Sequence, residues 1–126
     1  MDYKGIIIEE SLKNISVLKN VFIISTKIEQ VTKEHQTSWL KQWTLHTVDI
    51  PENKAKYIAN EISKCLETKH NWYADFKNDK FHFIIFTNKV FKVNRQKETE
   101  YNKVKKYGLS LGIPDYQLDF SPQVKV

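Results

Sequence analysis

Arginine, cysteine and glycine are nearly missing from this chain, and each scarcity closes off a kind of chemistry. Arg95 is the one arginine. Arginine supplies the planar fork that reads guanine edges and grips phosphates, so sequence-specific DNA recognition is a poor fit. Cys65 is the one cysteine, which excludes an internal disulfide and any zinc cluster built on cysteine. It suits a reducing, cytoplasmic setting. The three glycines, Gly5, Gly108 and Gly112, form neither a P-loop nor a dinucleotide fingerprint. No nucleotide cofactor is expected by those routes. An HExxH metal motif is absent as well. No stretch approaches the roughly 18 apolar residues of a membrane helix, so no membrane partner is expected. The opening MDYKGIIIEESL has neither the basic start nor the long apolar run of a signal peptide.

What the chain does have is aromatic and β-branched residues, concentrated from Asn71 to Arg95. Two polar pairs, Asn78-Asp79 and Asn88-Lys89, divide that stretch into a three-stranded antiparallel meander. Two-residue turns there would set Asp75 opposite His82, Ala74 opposite Phe83, and Phe86 opposite Phe91. Before the meander, Tyr3 to Glu9 reads as an interior strand, because Ile6, Ile7 and Ile8 suggest burial on both faces. Glu10 to Leu18 reads as one or two helical turns or an ordered loop. Val21 to Gln30 and Trp39 to Ile50 form a long hairpin around a polar loop.

Two helices follow from periodicity. Pro51 and Glu52 begin the first, whose buried stripe is Ala55, Ile58, Ile62, Cys65 and Leu66. Gln96 to Leu111 forms the second, with Tyr101, Val104, Tyr107 or Gly108, and Leu111 inward and Gly112 as the stop. Asp115 to Phe120 alternates like a last edge strand. The predicted fold is a single α+β domain over residues 1–126. Its sheet is largely antiparallel, with five to seven strands, and the two main helices pack on one face. A ferredoxin-like order is compatible with this but not required.

The words WYADFKNDKFHFIIF, Trp72 to Phe86, and YGLSLGIP, Tyr107 to Pro114, resemble stretches in a group of small uncharacterised prokaryotic proteins. The resemblance covers about a quarter of the chain. It implies a soluble stand-alone domain and transfers no functional residue.

Three sets of residues could carry function. The first is Asp75, His82 and Tyr73, which the predicted register puts on one face of the meander. There a carboxylate could orient an imidazole for acid–base work, or simply form a structural cross-strand pair. The second is Trp39, Trp43 and Trp72. Exposed, they would form an aromatic wall for a ligand, bases or a partner chain; buried, they are core residues. The remaining histidines, His35, His46 and His70, show no metal-ligand spacing, and His46 and Asp49 fall on opposite faces of a strand.

The third set comes from charge. Residues 1–63 hold eight lysines and eight acidic residues, so the whole excess of +5 lies in residues 64–126. Lys77, Lys80, Lys89, Lys92, Arg95, Lys103 and Lys106 could attract a polyanion or nucleic acid, or could be a solvated surface.

The leading expectation is a cytoplasmic binding or interaction domain without enzymatic activity, able to form a homo-oligomer through a sheet edge or exposed aromatics. A pocket using Asp75, His82 and Tyr73 is the second, and weak nucleic-acid binding the third. The third makes a sharp prediction. Fluorescence anisotropy should show affinity for single-stranded RNA falling steeply between low and moderate salt, and salt-independent binding contradicts it.

Overall fold

A computed structural model describes residues 1–32, 40–70, 72–113 and 118. Among these residues six strands form one antiparallel sheet: β1 (Tyr3–Ile8), β2 (Phe22–Gln30), β3 (Gln42–Ile50), β4 (Tyr73–Lys77), β5 (Phe81–Phe86) and β6 (Lys89–Asn94). Their order across the sheet is β2-β3-β1-β4-β5-β6. Two α-helices accompany them, α1 (Ala55–Cys65) and α2 (Glu98–Ser110). The predicted α+β class and its two main helices are therefore observed. The alternating order of a ferredoxin-like fold is not. The proposed strand over 115–120 lies outside the described residues except for Leu118, which is buried.

Connections follow from strand direction. β3 and β4 both run antiparallel to β1, which lies between them. They are thus parallel to each other, and their connection must cross the sheet. Residues 51–66 make that crossing. Pro51 precedes a short 3₁₀ turn, Glu52–Lys54, and α1 then lays Ala55, Ile58, Ala59 and Ile62 on the sheet. The same logic applies between β1 and β2, which flank β3. Two 3₁₀ turns, Glu9–Ser11 and Ile15–Asn20, bridge them and add Leu12, Val17 and Leu18 to the same core.

β5 is buried along nearly its whole length. Phe83 and Ile85 belong to the core beneath α1, with Tyr3, Val48, Ile50 and Phe76. Ile84 and Phe86 belong to a second core with Val93, Tyr101 and Val104. Because neighbouring residues of a strand point to opposite faces, α1 and α2 pack on opposite faces of the sheet. This corrects the expectation of two helices on one face. α2 follows an edge strand directly, and the face beneath α1 is already filled.

α2 covers β4, β5 and β6, and among the described residues no element covers that face of β1. Ile6 is accordingly 39% exposed, so the three isoleucines are not buried on both sides as expected. α2 ends as predicted at Gly112, whose φ of 88° suits glycine. Ile113 N–H donates to Gly108 O at 3.2 Å and Gly112 N–H to Leu109 O at 3.0 Å, which closes the helix end.

Gly5 marks the tightest approach in the sheet. A Cβ there would collide with the Asp75 carbonyl oxygen and lie 2.8 Å from Cβ of Phe76. The β1–β4 seam joins the two halves of the sheet, so there is little room to relax. Gly5→Ala is expected to lower unfolding free energy by about 1–3 kcal/mol. A urea titration giving an unchanged midpoint would show that the seam is looser than this.

Candidate functional site

The meander forms, but with a register two residues from the expected one. Lys77 pairs with His82 and Asp75 with Ile84, and the next ladder pairs Phe86 with Lys89 and Ile84 with Phe91. The cause in the first turn is Asn78. Its side-chain oxygen accepts from Lys80 N–H at 2.9 Å and Phe81 N–H at 2.8 Å, and its own N–H donates to Phe81 O at 3.0 Å, which sets Asn78 opposite Phe81 and moves the turn to Asp79-Lys80. In the second, the two-residue loop is Thr87-Asn88, and Asn88 takes the positive φ of 58°. A shift of two keeps every side chain on its face. Asp75 and His82 therefore still meet, now diagonally.

They meet closely. His82 Nε2 lies 2.6 Å from Asp75 Oδ2, and His82 Nδ1 lies 3.0 Å from the Tyr101 hydroxyl of α2. His82 is 1% exposed, whereas the Asp75 side chain keeps 31%. With Asp75 ionised, Nε2–H donates to the carboxylate, and neutral Nδ1 accepts from Tyr101 O–H. Both ring nitrogens are thereby engaged. Arg95 donates a hydrogen bond to the Tyr101 oxygen, and its Nη1 donates to Asn78 O at 2.6 Å. Burial pushes the Tyr101 phenol above its usual range, with Arg95 pulling the other way. Lys77, on the same face, is pulled down by burial and then by Arg95.

Tyr73 lies two residues before Asp75 on β4, on the same face. Its ring packs 5.9 Å from that of Phe86. The tyrosine at the imidazole is Tyr101, which the sequence reading placed only in the stripe of α2. Its signal was the hydroxyl on an inward-facing residue, which needs a partner when buried.

Trp39 and His35 lie outside the described residues. Trp72 is buried and Trp43 half-buried, with ring centroids 5.9 Å apart at 61°. Trp72 Nε1–H donates to Glu67 at 3.2 Å, and His70 Nδ1 lies 2.8 Å from the same carboxylate. Trp43 and Trp72 thus form part of the core rim rather than an open wall.

A second polar cluster was not anticipated. His46 Nδ1 lies 2.9 Å from Thr26 Oγ1, and Nε2 lies 2.9 Å from Glu9 Oε1. Glu10 accepts from Thr44 N–H and Oγ1–H at 2.6 and 2.8 Å. The two glutamates of the first 3₁₀ turn thus tie it to β3, a contact across about 35 residues that no local pattern encodes. Among the described residues no group of three metal-binding side chains converges.

The basic candidates do not share one face. Lys92 sits over the ring of Phe81 at 4.3 Å, and Lys89 over that of Phe91 at 5.2 Å. Lys80 is exposed in a turn, Lys103 and Lys106 are exposed on α2, and Lys77 and Arg95 are half-buried.

No family model, no curated protein and no solved structure matches this chain.

The Asp75–His82–Tyr101 chain can be tested through stability. Tyr101→Phe leaves Nδ1 of a buried imidazole without its donor and is expected to cost about 1–3 kcal/mol. It should also change the alkaline limb. A phenol raised by burial holds its proton longer folded than unfolded. Its contribution is complete below about pH 10 and is lost as pH rises through the folded value. Denaturant titrations from neutral to alkaline pH should show a shallower decline in Tyr101→Phe. The comparison isolates Tyr101 from Lys77, whose contribution runs the other way. An identical slope in both proteins would remove Tyr101 from this account.

Proposed function

We propose that this chain is a non-enzymatic interaction domain that recognises a protein partner through the free edge of its sheet, strand β2. The carrying observation is the exposure of that strand. From Phe22 to Ile28 every residue is exposed, with Phe22 at 67%, Ile24 at 57% and Ile28 at 57%. An edge strand presents a row of unpaired backbone groups, and natural sheets usually blunt it with charge or a cover. Here it instead carries large apolar side chains on both faces, which suits strand addition by a partner.

The competing readings have less support. His82 is closed to solvent, and both its nitrogens are engaged by Asp75 and Tyr101. That favours a polar tie between α2 and the sheet over general acid–base catalysis. The lysines and Arg95 are spread over a turn, β4, both faces of the β6 edge and α2, which favours a solvated surface over a nucleic-acid track. A reducing, cytoplasmic setting belongs to the same proposal and rests on the single Cys65. Among the described residues no helix is long and apolar enough to cross a membrane.

Photocrosslinking in cells tests the interface. A photoreactive phenylalanine analogue in place of Phe22 or Ile28 should give a covalent adduct with a protein chain. The same analogue at Lys103, on exposed α2, should give none. Equal labelling from all three positions, or none from any, would contradict the proposal.

A further inference from the structure

The two edges of the sheet are treated differently. β6 carries Lys89 and Lys92, and both α1 and α2 reach it. β2 carries Phe22, Ile23, Ile24 and Ile28 in the open, and over Phe22–Gln30 its only charges are Lys27 and Glu29. The strand is thus neutral in a chain of net charge +5. A second copy, which general repulsion would keep away from the basic half, meets no net charge here.

Resting on the interaction reading above, we infer that the occupant of the β2 edge is a second copy of this chain, paired antiparallel about a two-fold axis through Ile28.

Symmetry narrows the choices. Two copies of one strand side by side in a continuous sheet are related by an axis normal to the sheet, which makes them antiparallel. That axis leaves each residue on its own face. Directly opposed residues share a face, so the axis must pass through a residue and not between two. The ladder to β3 is irregular between Ile23 and Ser25, which leaves Ser25–Gln30 as the regular run able to accept a strand.

Charge then selects the residue. Lys27 and Glu29 lie two apart and so share one face, opposite Leu45 and Trp43 of β3. An axis through Lys27 sets lysine against lysine, and one through Glu29 sets glutamate against glutamate. An axis through Thr26 sets Lys27 against Ser25 and Glu29 against Ile23. An axis through Ile28 sets Lys27 of each copy against Glu29 of the other, Ile28 against itself and Thr26 against Gln30. Opposite charges directly across an antiparallel pair stabilise it, and like charges destabilise it. The product is one sheet of twelve strands running through both copies.

The purified full chain tests this. Sedimentation equilibrium should give twice the 15.0 kDa monomer mass at high concentration. Lys27→Glu or Glu29→Lys alone should weaken dimerisation at least tenfold, and the double exchange should restore it. Both sites lie on the edge, so equal melting temperatures of the dilute proteins confirm that the variants fold. In a Cys65→Ser background, Ile28→Cys should oxidise to a disulfide-linked dimer. The opposed Cα atoms of an antiparallel pair fall within disulfide range. Thr26→Cys should not, because it faces Gln30. A monomer at every concentration overturns the inference. So does a dimer that links through Thr26→Cys but not Ile28→Cys, or one indifferent to charge reversal. If the purified chain is monomeric while Phe22 and Ile28 crosslink in cells to a chain of another mass, only the self-pairing falls. If neither occurs, the interaction reading falls with it.

Discussion

Burial of β5 on both faces is the constraint on which the other elements depend. A strand reading Phe-His-Phe-Ile-Ile-Phe cannot leave either side to water. Each buried aromatic or branched side chain contributes about 1.5–3 kcal/mol relative to exposure. Phe83 and Ile85 need a cover on one face, and Ile84 and Phe86 need one on the other. α1 supplies the first because the crossing from β3 to β4 must pass over the sheet. α2 supplies the second because it is the element that follows β6. His82 then has no access to water, and the Asp75 carboxylate and Tyr101 hydroxyl satisfy it. The polar group at the centre of the meander is thus explained by the packing that surrounds it.

The same constraint explains the exposed half. Two helices cover two faces of the β4-β5-β6 half. On the other half, α1 and the 3₁₀ turns cover one face. Among the described residues, outward from β3 lies only β2, joined to one neighbour. Nine residues there hold Phe22, Ile23, Ile24 and Ile28 against solvent. For a monomer this is a cost in solubility. For a domain that adds a strand it is an interface.

Much of this was legible in the residues, for reasons that also mark the limit. The aromatic and β-branched run of β5 between two polar pairs and the helical spacing in α1 are short-range signals, and they located both elements. The register of the meander was misjudged by two residues because the Asn78 side chain replaces backbone groups in the turn. Parity survived the error, so Asp75 and His82 share a face as expected and meet diagonally rather than directly opposite. Tyr101 was missed as their partner because it is 19 residues from His82, on a helix assigned to the wrong side of the sheet. The helices were placed on one face because periodicity shows which side of a helix is apolar, not which side of the sheet receives it. The Glu9–His46 and Glu10–Thr44 contacts are long-range for the same reason.

Amide hydrogen exchange on the purified chain at several concentrations tests the central claim most directly. The account predicts that β5 amides exchange slowest at every concentration. It also predicts that amides between Ser25 and Gln30 slow markedly as concentration rises, because self-pairing occupies that edge. Exchange in β2 that is fast and independent of concentration, beside the same protected β5, would contradict it.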